Sequence, residues 1–285
     1  MKWQRGHKSD NVIDERGGQS GRRRTTQIAA GGGGIVAIVL ALLFGTDLFG
    51  GAGGGGTAAV GGAKAGATAT VSKQDEELVS FVSFVLDDIQ GFWAEELPKN
   101  GQRWQPAKLV LFSDEVRSAC GMQSAATGPF YCPADQLAYI DLGFYRVLKE
   151  RLGAPGDFAQ AYVLAHEIGH HIQNLTGVAS RVHAERQRDP SSANAMSVRQ
   201  ELQADCYAGV WAHSTKRRDL LERGDIEEGL NAAESIGDDT LQKRAGARVR
   251  PESFTHGTSA QRMKWFKRGF DTGKMSACDA FAGEL

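Results

Sequence analysis

Two histidines four residues apart, with a glutamate directly after the first, stand at His166-Glu167-Ile168-Gly169-His170. On a helix, residues i and i+4 lie one above the other, about 6 Å apart, so both imidazoles face one point. Two nitrogens at that separation can bind one zinc ion at about 2.0–2.1 Å each. Glu167 lies about 100° around the helix from His166, beside such a metal but not on it. There its carboxylate can take a proton from the water that the metal activates.

A catalytic zinc needs a third protein ligand. No histidine stands six residues after His170, where Thr176 is found, so the ligand must come from another segment. Glu201 and Asp205 are the candidates; they too are i and i+4, and the surroundings of Asp205 (Ala204, Cys206, Tyr207, Ala208, Val210, Trp211) are apolar. One carboxylate can ligate the metal while the other accepts the free N–H of a ligating histidine and fixes its tautomer. Glu201 is assigned to the metal and Asp205 to the histidine behind it, with Asp205 the substitute ligand.

These residues need rigid elements to hold them. The apolar stripe Phe158, Tyr162, Ala165, Ile168, Ile172 and Leu175 predicts a helix over Asp157 to Leu175, closed by Gly177. Gly169 inside it would weaken the helix by about 1 kcal/mol relative to Ala, which implies close approach of a neighbouring element. A second helix is expected from Ser192 to His213, after Asp189-Pro190, and a third from Ser259 to Gly273, with Ser259 as a possible N-cap. Helical spacing also marks Asp75 to Leu97. Lys108 to Phe112 and Leu137 to Leu142 read as short strands, giving an α+β chain with a small early sheet and late helices. The strand at Tyr139 to Leu142 is a candidate sheet edge for an extended peptide beside the zinc, with Pro133 compatible with an edge.

Four further side chains have weaker chemical readings. His256, in a polar loop before the last helix, can stabilise an oxyanion or simply brace its loop. His171 points away from the ligand face, and Tyr207 sits in an apolar stretch, so both read as packing residues. Asn174-Leu175-Thr176 matches a glycosylation sequon but ends the metal helix.

The segments HEIGHH, ELQADCYAGVWA and SFTHGTSAQR, with the opening Ser9-Asp10-Asn11-Val12, resemble the bacterial family described as putative neutral zinc metallopeptidases. The resemblance runs through nearly the whole chain. It implies a zincin-like fold, zinc held by His166, His170 and Glu201, and Glu167 as general base. It gives no substrate.

The N-terminal quarter has a different character. Seven Lys/Arg against three acids occupy residues 1–27, leaving the rest mildly acidic, which argues against nucleic acid as a partner. Ile28 to Phe44 is free of charge, the run continues to Phe49 with only Asp47 interrupting, and such a length just spans a bilayer core. A retained anchor over 28–49 is expected, a cleaved signal being the other reading. Arg22-Arg23-Arg24 would keep residues 1–27 cytoplasmic and send the rest across the membrane, to a periplasmic or extracellular location. Residues 50–72, rich in Gly, Ala and Thr, read as a tether to a peptidase domain at 73–285. Export would pair the four cysteines. Of three connectivities, Cys120–Cys132, a short loop, and Cys206–Cys278, tying the C-terminus to the helix of Glu201, are expected.

The sequence thus points to a membrane-anchored zinc endopeptidase acting on peptides or proteins. A zinc-binding envelope scaffold without turnover and a metal-dependent hydrolase of a non-peptide amide are the alternatives.

Overall fold

The structure, a computed structural model, describes residues 1–16, 73–283 and 285, the side chain of Gln74 excepted. The expected anchor at 28–49 and tether at 50–72 lie outside these residues. Among the described residues no helix is long and apolar enough to cross a membrane.

The architecture is mainly helical with a small sheet, as expected. Strand β1 (Val12–Asp14), β2 (Lys108–Phe112), β5 (Phe130–Cys132) and β6 (Leu137–Asp141) form one sheet in the order β1-β2-β6-β5. The first two pairings are parallel and β5–β6 is antiparallel. A hairpin of β3 (Glu115–Ser118) and β4 (Gly121–Ser124) stands apart. Strand β2 is buried on both faces because its alternate side chains enter two different cores. Leu109 and Leu111 pack with Ala138 and Ile140 against the helices. Val110 and Phe112 pack with Val116, Cys132 and Tyr139 under the hairpin.

The expected edge position of Tyr139 to Leu142 is corrected here. Strand β6 lies between β2 and β5, and β5 forms the edge on that side. An alternating apolar pattern reports which faces are buried and is silent about lateral neighbours.

Helix α1 (Lys73–Lys99) extends the expected 75–97 by two residues at each end. Helices α2 (Gly143–Glu150), α3 (Asp157–Leu175), α4 (Val178–Arg188), α5 (Ala193–Arg217), α6 (Asp225–Ser235), α7 (Asp238–Arg244) and α8 (Ser259–Thr272) follow. Helix α3 has the expected limits, and α5 runs one turn beyond His213. The N-cap of α8 is Thr258 rather than Ser259. Thr258 and Gln261 form a reciprocal capping box, while the Ser259 hydroxyl donates to the Glu234 carbonyl at 2.7 Å.

Three glycines set how closely the helices meet. A Cβ on Gly169 of α3 would lie 2.9 Å from the Ala204 carbonyl oxygen of α5, the close approach expected of that residue. One on Gly209 of α5 would fall 2.0 Å from the Phe266 oxygen, and one on Gly269 of α8 would fall 2.0 Å from the Cys206 oxygen. Helix α5 is therefore pressed backbone to backbone between α3 and α8, with Trp211, Phe158 and Phe266 buried around it. The Cys206–Cys278 disulfide fastens the C-terminal turn to α5, and Cys120–Cys132 joins the hairpin to β5, both as expected.

Residues 1–16 pack on the domain. Met1 is in the core, and its α-ammonium pairs with Asp157 at 2.5 Å, Glu222 at 3.2 Å and Asp225 at 3.3 Å.

Candidate metal centre

Helix α3 presents His166 and His170 on one face, with ring centroids 4.8 Å apart. Glu201, from α5, reaches both. Its Oε2 lies 3.1 Å from His166 Nε2, and its Oε1 lies 3.5 Å from His170 Nε2. One ligand atom from each of the three falls within 4.8 Å of the others. Two imidazoles and a carboxylate are a donor set that suits zinc and leaves a coordination position open for water. The structure brings Glu201, and not Asp205, together with the two Nε2 atoms.

Asp205 sits one turn along α5 and accepts from His166 Nδ1 at 2.7 Å. That bond puts the proton on Nδ1 and leaves Nε2 free for a metal. Asp205 is itself fully buried, and two residues hold it there: Arg262, which the sequence analysis did not name, and Tyr162, which it read only as part of the apolar stripe. Arg262 of α8 donates to it twice, through Nε and Nη2, both at 2.9 Å, and Tyr162 of α3 donates its hydroxyl at 2.6 Å. A buried carboxylate with no cation beside it would take up a proton instead. The signal for Arg262 was its place in an otherwise apolar helix face, which becomes legible only once α8 is known to lie against α5.

On the other imidazole, His170 Nδ1 is 2.9 Å from the Gln173 side-chain oxygen. Gln173 is in turn fixed by donation to the Gln200 carbonyl at 2.7 Å and to Gln203 at 3.0 Å. Each ring is therefore oriented through the nitrogen that faces away from Glu201.

The electrostatics favour positive charge at the point of convergence. Burial opposes the charged form of His166, but Asp205 and Glu201 outweigh it and raise its pKa to about 10. Burial likewise opposes His170, which Glu201 raises. Burial would lift Glu201 and Asp205, yet their cationic neighbours hold Glu201 well below its ordinary value and Asp205 at about 2. The negative field of the two carboxylates draws a divalent cation as well, which must displace any proton held on the two ligating nitrogens.

Glu167 is buried, and its Oε2 has no hydrogen-bond partner. Burial raises its pKa, with His170 and His166 opposing. An unpartnered buried carboxylate oxygen beside three ligand side chains is free to accept from a further group brought into the centre. Glu167 and the three ligands line a cavity of about 380 Å³ with Phe130, Tyr131 and Pro133.

His256 lines the same cavity. Its Nδ1 lies 3.2 Å from Asp238, whose other oxygen accepts the backbone N–H groups of Thr255, His256 and Gly257 at 2.7–3.1 Å. His171 is kept away, bonded to the Tyr131 hydroxyl at 2.9 Å and the Gln105 carbonyl at 2.7 Å. Tyr207 is buried against Trp93, a packing role as expected. Asn174 donates to the Tyr131 hydroxyl at 3.2 Å. A second acidic group, Asp157, Asp225 and Glu228, has its cation already: the Met1 ammonium pairs with two of the three, and Glu228 accepts the Phe158 N–H at 3.1 Å.

Comparison with known proteins places the chain among its relatives. The chain is 44% identical to the uncharacterized protein YpfJ of Escherichia coli strain K12, over the whole of both chains. It is 45% identical to the uncharacterized protein Rv2575 of Mycobacterium tuberculosis strain H37Rv, over 61% of this chain and 62% of that one. No solved structure matches. The family described as "Putative neutral zinc metallopeptidase" matches residues 1–281, a family that implies zinc, and the chain belongs to it.

Proposed function

We propose that the chain is a membrane-attached, zinc-dependent endopeptidase of zincin-like fold. The observation that carries this reading is the convergence of His166, His170 and Glu201 beside the unpartnered Glu167 carboxylate. A zinc ion bound there supplies Lewis acidity to a water molecule and to a substrate carbonyl. Glu167 accepts the proton of the attacking water and passes it to the departing amine. Asp205, locked by Arg262 and Tyr162, keeps the Nδ1 proton on His166 throughout. His256, braced by Asp238, faces the cavity and donates to the oxygen on which negative charge develops.

A peptide substrate is favoured over a small amide by the cavity wall. Phe130 and Tyr131 of the edge strand β5 line the cavity beside the ligands. An edge strand offers backbone hydrogen bonds to an extended peptide. Attachment to the membrane rests on the apolar run at 28–49.

The test is Glu167→Gln. Zinc content should equal that of wild type, while cleavage of a denatured protein substrate should fall by at least about 10²-fold. Undiminished cleavage would reject the role of Glu167, and absence of cleavage by the zinc-loaded wild type would favour a scaffold.

A further inference from the structure

The first sixteen residues are built into the domain at many points. Strand β1 pairs in parallel with β2, in the register Val12↔Leu109, Ile13↔Val110 and Asp14↔Leu111. The ladder extends to Glu15 N–H on the Leu111 carbonyl and Leu109 N–H on the Asn11 carbonyl, both 2.8 Å. Before the strand, the Ser9 hydroxyl donates to Asp87 of α1 at 2.6 Å, and His7 Nε2 lies 2.8 Å from the same carboxylate. Trp3 meets Phe81 edge to face at 5.3 Å, and the Lys2 N–H donates to the Leu220 carbonyl at 2.7 Å. Removing this segment would uncover the part of the core that Met1 fills and the edge of β2, and leave Asp225 buried without its cation.

This packing bears directly on membrane topology. A chain that crosses a bilayer once has the residues before the crossing on one face and the residues after it on the other. Strands of one sheet cannot be divided in that way, whichever copy of the chain supplies β1. A compensating second crossing has no sequence to make it. Residues 50–72 hold Lys64 and runs of glycine, and a spanning segment must satisfy every backbone group within a helix or closed barrel.

We infer that residues 1–16 and the domain at 73–285 occupy the same face of the membrane, so that the apolar run at 28–49 attaches the chain without carrying the domain across. The expected division, with a cytoplasmic N-terminus and an exported domain, would have to break the β1–β2 ladder. The inference rests on the proposed membrane attachment through 28–49 and stands apart from the peptidase reading, because it uses none of the zinc-site residues.

The experiment uses the full chain in cells. Lys8→Cys and Lys149→Cys, both at exposed positions, are each treated with a membrane-impermeant maleimide before and after permeabilisation, with the unsubstituted chain as background. The expected result is the same pattern at both positions, whether labelling precedes or requires permeabilisation. Labelling of one in intact cells and of the other only after permeabilisation would overturn the inference. Independently, Ser9→Cys with Asp87→Cys is treated in cells with a short, membrane-permeant bifunctional maleimide, and the chain is then cut at a protease site inserted within 50–72. The two fragments should remain joined in a denaturing gel; complete separation would reject the shared face.

Discussion

At the scale of single residues, the centre is a set of donors whose orientation is fixed from behind. His166 is set by Asp205, which is set by Arg262 and Tyr162; His170 is set by Gln173. Outer partners of this kind typically contribute about 10–100-fold to metal affinity. Asp205→Asn keeps the shape of the side chain but removes the charge that Arg262 neutralises. Zinc affinity, measured against a competing chelator, should fall by about that factor. Leaving Arg262 buried without its counter-charge should also lower unfolding free energy by about 3–5 kcal/mol. An unfolding midpoint and a zinc affinity both equal to wild type would refute the role given to this pair.

At the scale of elements, the spacing between helices decides whether those residues meet. Helices α5 and α8 touch through Gly209 and Gly269 because no side chain intervenes. Gly209→Ala must push α8 outward, carrying Arg262 from Asp205, and should destabilise by about 1–3 kcal/mol or more through overpacking. Gly91 of α1 is the contrasting case, for nothing lies within 4 Å of a Cβ placed there. Gly91→Ala should stabilise by about 0.5–1 kcal/mol, the ordinary gain from helix propensity. Denaturant unfolding of the two variants should shift in opposite directions. A shift in the same direction would show that the α5–α8 spacing is not what Gly209 protects.

At the scale of the whole molecule, two disulfides and the N-terminal segment close the structure around its centre. Cys206 and Cys278 are 72 residues apart, so their bond removes far more freedom from the unfolded chain than Cys120–Cys132, separated by 12. Loop-closure entropy puts their contributions at about 4 and about 3 kcal/mol. Cys206→Ala with Cys278→Ala should therefore lower stability more than Cys120→Ala with Cys132→Ala. It should also loosen zinc, because Gln203, which braces Gln173, donates to the Cys278 carbonyl at 3.0 Å. Equal zinc affinity in the two double variants would argue against that link.

The sequence by itself determined which chemistry-bearing side chains share a helix face. His166, Glu167 and His170 stand within five consecutive residues of one helix, and local geometry alone places them, as it places Glu201 and Asp205 on another. The apolar stripe around them likewise fixed the limits of α3. What only the tertiary structure decided is which elements lie beside which. Strand β5, rather than β6, forms the edge; Arg262 meets Asp205 across 57 positions of sequence; β1 joins a sheet whose next strand begins at Lys108. Helical and strand periodicities are properties of consecutive residues, whereas lateral neighbours are selected by how buried surfaces fit, and a single chain of letters carries no record of that fit.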